Sequence, residues 1–266
     1  QTYWPYSSGT ISGWFKADDV SSGPDSWIFC SSDTAADIDF MGIVVISGKL
    51  RIQHRETTND YVDTPAILEV GKWYHFAVVS DSSDWFIWIN GVSQTLTVVS
   101  GSNNGNWFAD GSGWDNLVIG ARERSSTDKF FKGIISNIAI RTGQLTAAQI
   151  IAECEQGYVD TAVGGVVNYW KMDEGTGILL ADSVGSDTLI MSPVGAWKKD
   201  IYAPADAAPT QQSTDVSGLS LTTIHTRLEN TNPILGGMVL DEQSIDYTAG
   251  GILRQLTQSY LRANQC

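Results

Sequence analysis

Carboxylates two and four residues apart on one strand point into a single groove, where one can protonate a leaving group and another can act as nucleophile or base. The nearest such spacing is Asp37-Ile38-Asp39, but no third carboxylate follows, and Phe40-Met41-Gly42 leads into an apolar strand. These acids read as solvated loop residues. His54, His75 and His225 are the histidines available for a triad or a metal. His75 falls inside an aromatic strand, which suits a packed, hydrogen-bonded imidazole. No G-x-S-x-G, H-E-x-x-H or phosphate-binding glycine loop occurs, so the sequence gives catalysis no support. Recognition chemistry is better represented. The polar stretch Gly101 to Asn116 carries Trp107 and Trp114 among Asn, Asp and Gly. Indole faces can stack on sugars while Asp110, Asp115 and Asn116 accept hydrogen bonds from hydroxyls, and long loops of this kind are commonly functional. The same two rings could instead fold back as a lid on the core.

A loop of that kind needs a rigid scaffold. The 266-residue chain is 42% hydrophobic and 17% charged, with 16 Lys+Arg against 30 Asp+Glu and a net charge of -14. That apolar fraction supports a core. The acidic surplus disfavours nucleic acid and anionic membranes and leaves neutral glycans, proteins or cations as partners. No apolar run approaches the roughly 18 residues of a membrane span. Cys30, Cys154 and Cys266 are far apart, form no C-x-x-C pair, and read as buried small hydrophobes rather than as a disulfide plus an odd thiol. The chain opens at Gln1 without a Met or a basic leader segment, which reads as a removed leader or a fragment.

Short segments rich in Trp, Tyr, Phe, Ile and Val recur between Gly, Asn, Asp and Ser clusters as far as Lys199, the pattern of an all-β sandwich. Strands are expected at Thr10–Lys16, Ser26–Cys30, Gly42–Ile46 and Leu50–Arg55. A three-stranded meander is expected from Trp73–Val79, Trp85–Ile89 and Val92–Val99, its second turn being Asn90-Gly91, a pair that readily takes positive φ. Leu117–Ala121 and Phe130–Ile140 continue the sheets, with Gly133 marking a bulge or close backbone approach. Thr146, with Gln149 three residues on, opens a helix that Gly157 closes. Ala147, Ile151 and Cys154 would share its buried face, and the helix would plug an edge or end of the sandwich. Val166–Met172 and Asp187–Met191 follow as strands. A Pro-, Ala-, Gln- and Ser-rich change of composition marks a linker at 201–218. Beyond it, residues 219–266 hold too few apolar side chains for a core of their own and read as an arm docking on a partner or neighbouring subunit, or else as a loose terminus.

Several segments together resemble the laminin-G-like, concanavalin A-like lectin/glucanase superfamily. They are Thr10-Ile11-Ser12-Gly13-Trp14-Phe15-Lys16, Leu68 to Val79, Trp88-Ile89-Asn90-Gly91, Leu117-Val118-Ile119-Gly120, Phe131 to Ile140 and the LTAAQI helix. No one piece is specific; their order is. The resemblance implies a two-sheet antiparallel jelly roll over residues 1–200. Asn168 to Gly177, followed by Asp182 and Trp197, resembles the segment that often opens such domains. Here it follows the helix and would supply a terminal strand from 166–172, or begin a truncated second copy. The resemblance also implies calcium at a sheet rim, with Asp173, Glu174 and Asp182 as ligands and the Asp110, Asp115, Asn116 turn as a second acidic cluster. Neither has D-x-D-x-D-G spacing, and solvated turn acids are the alternative.

These features point to a non-catalytic recognition module, extracellular or on a virion surface such as that of a phage. It would bind a glycan or cell-surface polysaccharide in adhesion and be anchored to a larger assembly through 219–266, with a homo-oligomer as one form of that assembly. The alternatives are a structural decoration or fibre protein without ligand and, with least support, a glycoside hydrolase.

Overall fold

The computed structural model describes residues 5–191 apart from residue 24, together with residue 197. The linker and arm expected at 201–218 and 219–266 lie outside the described residues. In chain order the elements are β1 (Gly9–Ala17), β2 (Ser26–Ser32), β3 (Phe40–Ile46), β4 (Lys49–Arg55), β5 (Asn59–Asp63), β6 (Trp73–Ser80), β7 (Trp85–Ile89), β8 (Val92–Ser93), β9 (Thr97–Ser100), β10 (Asn116–Ile119), β11 (Arg122–Glu123), β12 (Thr127–Asp128), β13 (Gly133–Arg141), α1 (Ala147–Gln156), β14 (Val166–Trp170), β15 (Leu179–Leu180) and β16 (Leu189–Ile190). Two six-stranded sheets, ordered β14-β13-β1-β6-β7-β8 and β10-β2-β3-β4-β5-β9, form the sandwich. The fold is all-β and antiparallel, of the jelly-roll type.

Period-2 alternation decides which side chains meet between the sheets. Ile11 and Phe15 of β1, Phe76 and Val78 of β6, and Ile138 and Ile140 of β13 join Met41, Ile43, Leu50, Ile52 and Val62 of the other sheet in one buried cluster. Each such side chain contributes about 1.5–3 kcal/mol by leaving water. Asn90 and Gly91 take φ of 48° and 75° at the β7–β8 turn. Gly133 is required by a close approach, since a Cβ there would stand 2.1 Å from the Lys16 carbonyl oxygen.

Three expectations change in the structure. The segment expected as one strand over Val92–Val99 is two, because residues 94–96 carry the chain from the edge of the first sheet to the edge of the second. Leu96 packs on the core during that crossing. The helix lies on the outer face of the first sheet rather than at an edge, with Ile150 against Ala77, Val79 and Leu145. Thr146 and Gly157 cap it as the sequence indicates, but its buried residues are Ile150, Glu153 and Cys154, and Ile151 is 39% exposed. An inward acid rotates the helix. Glu153 accepts from the Arg141 guanidinium and the Ser12 hydroxyl, and His75 Nε2 stands 3.4 Å from its Oε1. β14 extends the first sheet, pairing Ile138 with Trp170, so the sandwich continues past the helix.

Candidate functional site

Three loops meet at one end of the second sheet: 33–39 between β2 and β3, 56–58 between β4 and β5, and 101–115 between β9 and β10. The ladder Asn116–Ser32–Phe40–Arg55–Asn59 fixes that common end. The recognition residues expected from sequence are here, but the rings face inward. Trp107 is fully buried and Trp114 is 6% exposed. Phe108 crosses both edge-on, at centroid distances of 5.5 Å and 6.4 Å, and Trp114 lies against His54. Trp114 also covers Gly111, where a Cβ would come within 2.2 Å of its ring. Stacking of either indole on a sugar is thereby corrected: burying two large apolar surfaces outweighs leaving them on a polar loop. Asp110 Oδ2 accepts from the Trp107 amide at 2.7 Å. The Asp115 carboxylate accepts from the Thr34 amide and hydroxyl at 2.9 and 2.8 Å, joining two loops. Asn116 begins β10, its side-chain nitrogen buried without a hydrogen-bond partner.

Beneath these loops lies a polar layer. His54 is 1% exposed, and its Nε2 has no hydrogen-bond partner. Burial pushes its imidazole down to about 4, against the raising pull of Asp110 and Asp60, so it is neutral at pH 7. Burial, with the like charges of Asp39 and Asp110, raises the Glu56 carboxyl above its ordinary value despite a hydrogen bond from the Ser112 backbone. Burial also acts upward on Asp60, but the Ser102 amide and the Thr58 hydroxyl outweigh it and hold the carboxyl low. Asp60 thus ties the 101–106 stretch to β5.

Asp173, Glu174 and Asp182 do not form a cation cradle. Asp182 accepts from the amides of Tyr169, Val184 and Gly185 and from the Asn168 side chain. Glu174 Oε1 accepts from the Ala181 amide. The Asp182 oxygens are thereby engaged in building a turn, whereas Glu174 Oε2 is buried without a hydrogen-bond partner. Among the described residues no three His, Cys, Asp or Glu side chains are placed to hold a metal ion.

The outward face of the second sheet carries a different arrangement. On its β2–β3 half, Trp27, Cys30, Phe40 and Val44 are buried beneath the β11–β12 hairpin. Arg122 lies 5.3 Å over the Trp27 ring and Arg124 5.8 Å over Phe40. The β4–β5 half is left uncovered by that hairpin. There Gln53 sits between Gly42 and Tyr61 across the strands, with Arg51 and Arg55 to either side along β4. Arg51 grips Asp63 through two hydrogen bonds of 2.6 and 3.1 Å and lies 5.5 Å from the Tyr61 ring. The Gln53 amide and the Arg55 guanidinium make no hydrogen bond or ion pair with a described residue. Gln53 is 5% exposed, while Arg55 and Tyr61 are half-buried, so the guanidinium and phenol lie at the surface with the amide recessed, and the group can donate to and accept from hydroxyls or a carboxylate. Sequence reasoning missed this patch because it missed β5, whose inward Asp60 spoils the amphipathic pattern. The alternation of Lys49, Arg51, Gln53 and Arg55 with Leu50, Ile52 and His54 was the available signal.

A family model described as the concanavalin A-like lectin/glucanases superfamily matches residues 2–151. No curated protein matches the chain. Among solved structures, the Ruminococcus gnavus IT-sialidase CBM40 module bound to α2,3-sialyllactose is 17% identical with a TM-score of 0.49, covering 55% of this chain and 82% of that one. A Bacteroides ovatus protein to which carbohydrate binding is attributed is 17% identical with a TM-score of 0.50, covering 70% of this chain and 54% of that one.

Proposed function

The chain belongs to the concanavalin A-like lectin/glucanases superfamily, and from that fold and the polar outward face of its β4–β5 half we propose a non-catalytic module that recognises saccharides. Fold alone does not assign function, so the reading rests on one observation. Gln53 and Arg55 lie beside Tyr61 on a rigid sheet with no described partner for either polar head, although the chain carries 30 acids that could have paired with the arginine. Sites built on strands hold such groups in fixed geometry. Asp63, on the same face, is held by Arg51 and by Lys49 at 3.5 Å, which leaves no free carboxylate pair there for hydrolysis. Surface glycans place the module outside a cell or on a virion. Residues 219–266 then serve as its attachment to a larger assembly.

The test is retention on a glycan array by the native chain and by Gln53→Ala, Arg55→Ala and Tyr61→Ala. Loss of a hydrogen bond to a charged group is worth about 1.5–3 kcal/mol, so Arg55→Ala should weaken retention by about tenfold or more with melting unchanged. Absence of retention by the native chain across neutral and acidic glycans would favour a purely structural role.

A further inference from the structure

The last strands of the two sheets lie on one side of the sandwich, because residues 94–96 run directly from β8, which ends the first sheet, to β9, which ends the second. The stretch of chain that carries both of these strands is uncharged. From Trp85 to Ala109 the chain has 25 consecutive residues without a formal charge, although 17% of all residues are charged and about four would be expected. It is also apolar at its surface, with Val92 59%, Val98 49%, Val99 49% and Phe86 43% exposed. β9 is hydrogen-bonded to β5 on one side, and among the described residues no strand pairs with its other side. On the opposite side of the sandwich the chain covers its own edge, since Trp170 of β14 is bridged to Asp182. Proteins usually guard an open edge with Lys, Pro or other charge. Thr97-Val98-Val99-Ser100 has none of these.

We propose that the β9 edge pairs with β9 of a second copy of this chain, antiparallel across a two-fold axis. An antiparallel edge is its own complement under such an axis, needing no further sequence. Charge selects the face: two chains of net charge -14 repel over most approaches, and least where neither presents a charge. The two six-stranded sheets that end in β9 would become one continuous sheet, with the apolar side chains of both edges removed from water. With the axis perpendicular to that sheet, both outward faces point the same way, giving two Gln53–Tyr61 patches on one surface and the avidity that two sites allow.

The test is sedimentation equilibrium of the full chain and of Val98→Lys/Val99→Lys, from micromolar to millimolar, with amide hydrogen exchange of the native chain at the two extremes. The native chain should reach dimer mass, and β9 amides should gain protection with concentration. Opposed lysines at the joint should weaken association by on the order of a hundredfold. A monomer throughout that range overturns the proposal. So does protection of β9 that is independent of concentration, which would mean that another part of the same chain covers the edge. The exchange measurement stands even where the lysine variant does not fold.

Discussion

Arg141 of β13 and Glu153 of α1 form an ion pair inside the protein, their side chains 0% and 4% exposed. The Arg141 guanidinium also donates to the Ser12 hydroxyl at 2.7 Å, and that hydroxyl donates to Glu153 Oε1 at 2.5 Å. A strand, a neighbouring strand and the helix are therefore joined through one carboxylate. Removing one member of a buried pair leaves the other charge uncompensated. Arg141→Met should cost about 3–5 kcal/mol in urea unfolding, and Arg141→Met with Glu153→Met should recover much of that loss. If the single and double variants unfold alike, the pair is not what seats the helix.

Acid should unfold the protein in two windows. Burial holds His54 neutral with a folded value of about 4, below its ordinary 6.5, so between these values the unfolded chain binds the extra proton. Stability then rises with pH through that window and is lost as pH falls, by about 3 kcal/mol in all. His54→Gln should flatten this slope when urea midpoints are compared from pH 7 to 4. Burial pulls the Glu153 carboxyl upward, but the His75 hydrogen bond and the Arg141 charge outweigh it and lower the value below the ordinary 4.5. Its contribution is present above that value and is lost as pH falls through the lower folded one, so it persists in the histidine variant.

Because both indoles of the 101–115 loop are core, Trp107→Ala and Trp114→Ala should each lower unfolding free energy by about 3–5 kcal/mol. Thermal melts followed by circular dichroism would show it. A melt unchanged by Trp114→Ala would return that ring to the surface and to ligand binding.

Asp182 answers the calcium expectation. Its oxygens accept from four backbone amides and one side-chain amide, so neither added calcium nor EDTA should move the melting temperature, whereas Asp182→Ala should lower it, at about 1–3 kcal/mol. A calcium-dependent rise would show that the turn rearranges to take the ion.

Much of the scaffold was legible in residue order because the signals were local. Alternation marked β1, β3, β4, β6 and β7, Asn90-Gly91 marked a turn, and Thr146 with Gln149 and Gly157 bounded the helix. What failed depended on partners distant in sequence. Ala147 and Ile151 suit a buried helical face by hydrophobicity, yet Arg141 draws Glu153 inward and turns that face away. Trp107 and Trp114 sit among Asn and Gly, and only the closing of the two sheets provides the interior that receives them. The polar patch was hidden for the same reason. Gln53 and Tyr61 become neighbours through the register of β4 and β5, and register is a property of the assembled sheet.

The central position of β1 has a consequence for how the chain reaches this state. Thr10 pairs with Val79 on one side and with Arg141 on the other, so during synthesis β1 waits for β6 and then for β13. Loop closure over such spans precedes any reward from contact, which places refolding in the milliseconds-to-seconds range of sandwiches. Until the later strand is synthesised, an apolar ribbon stands open on one side, and that interval is when the nascent protein is most exposed to aggregation.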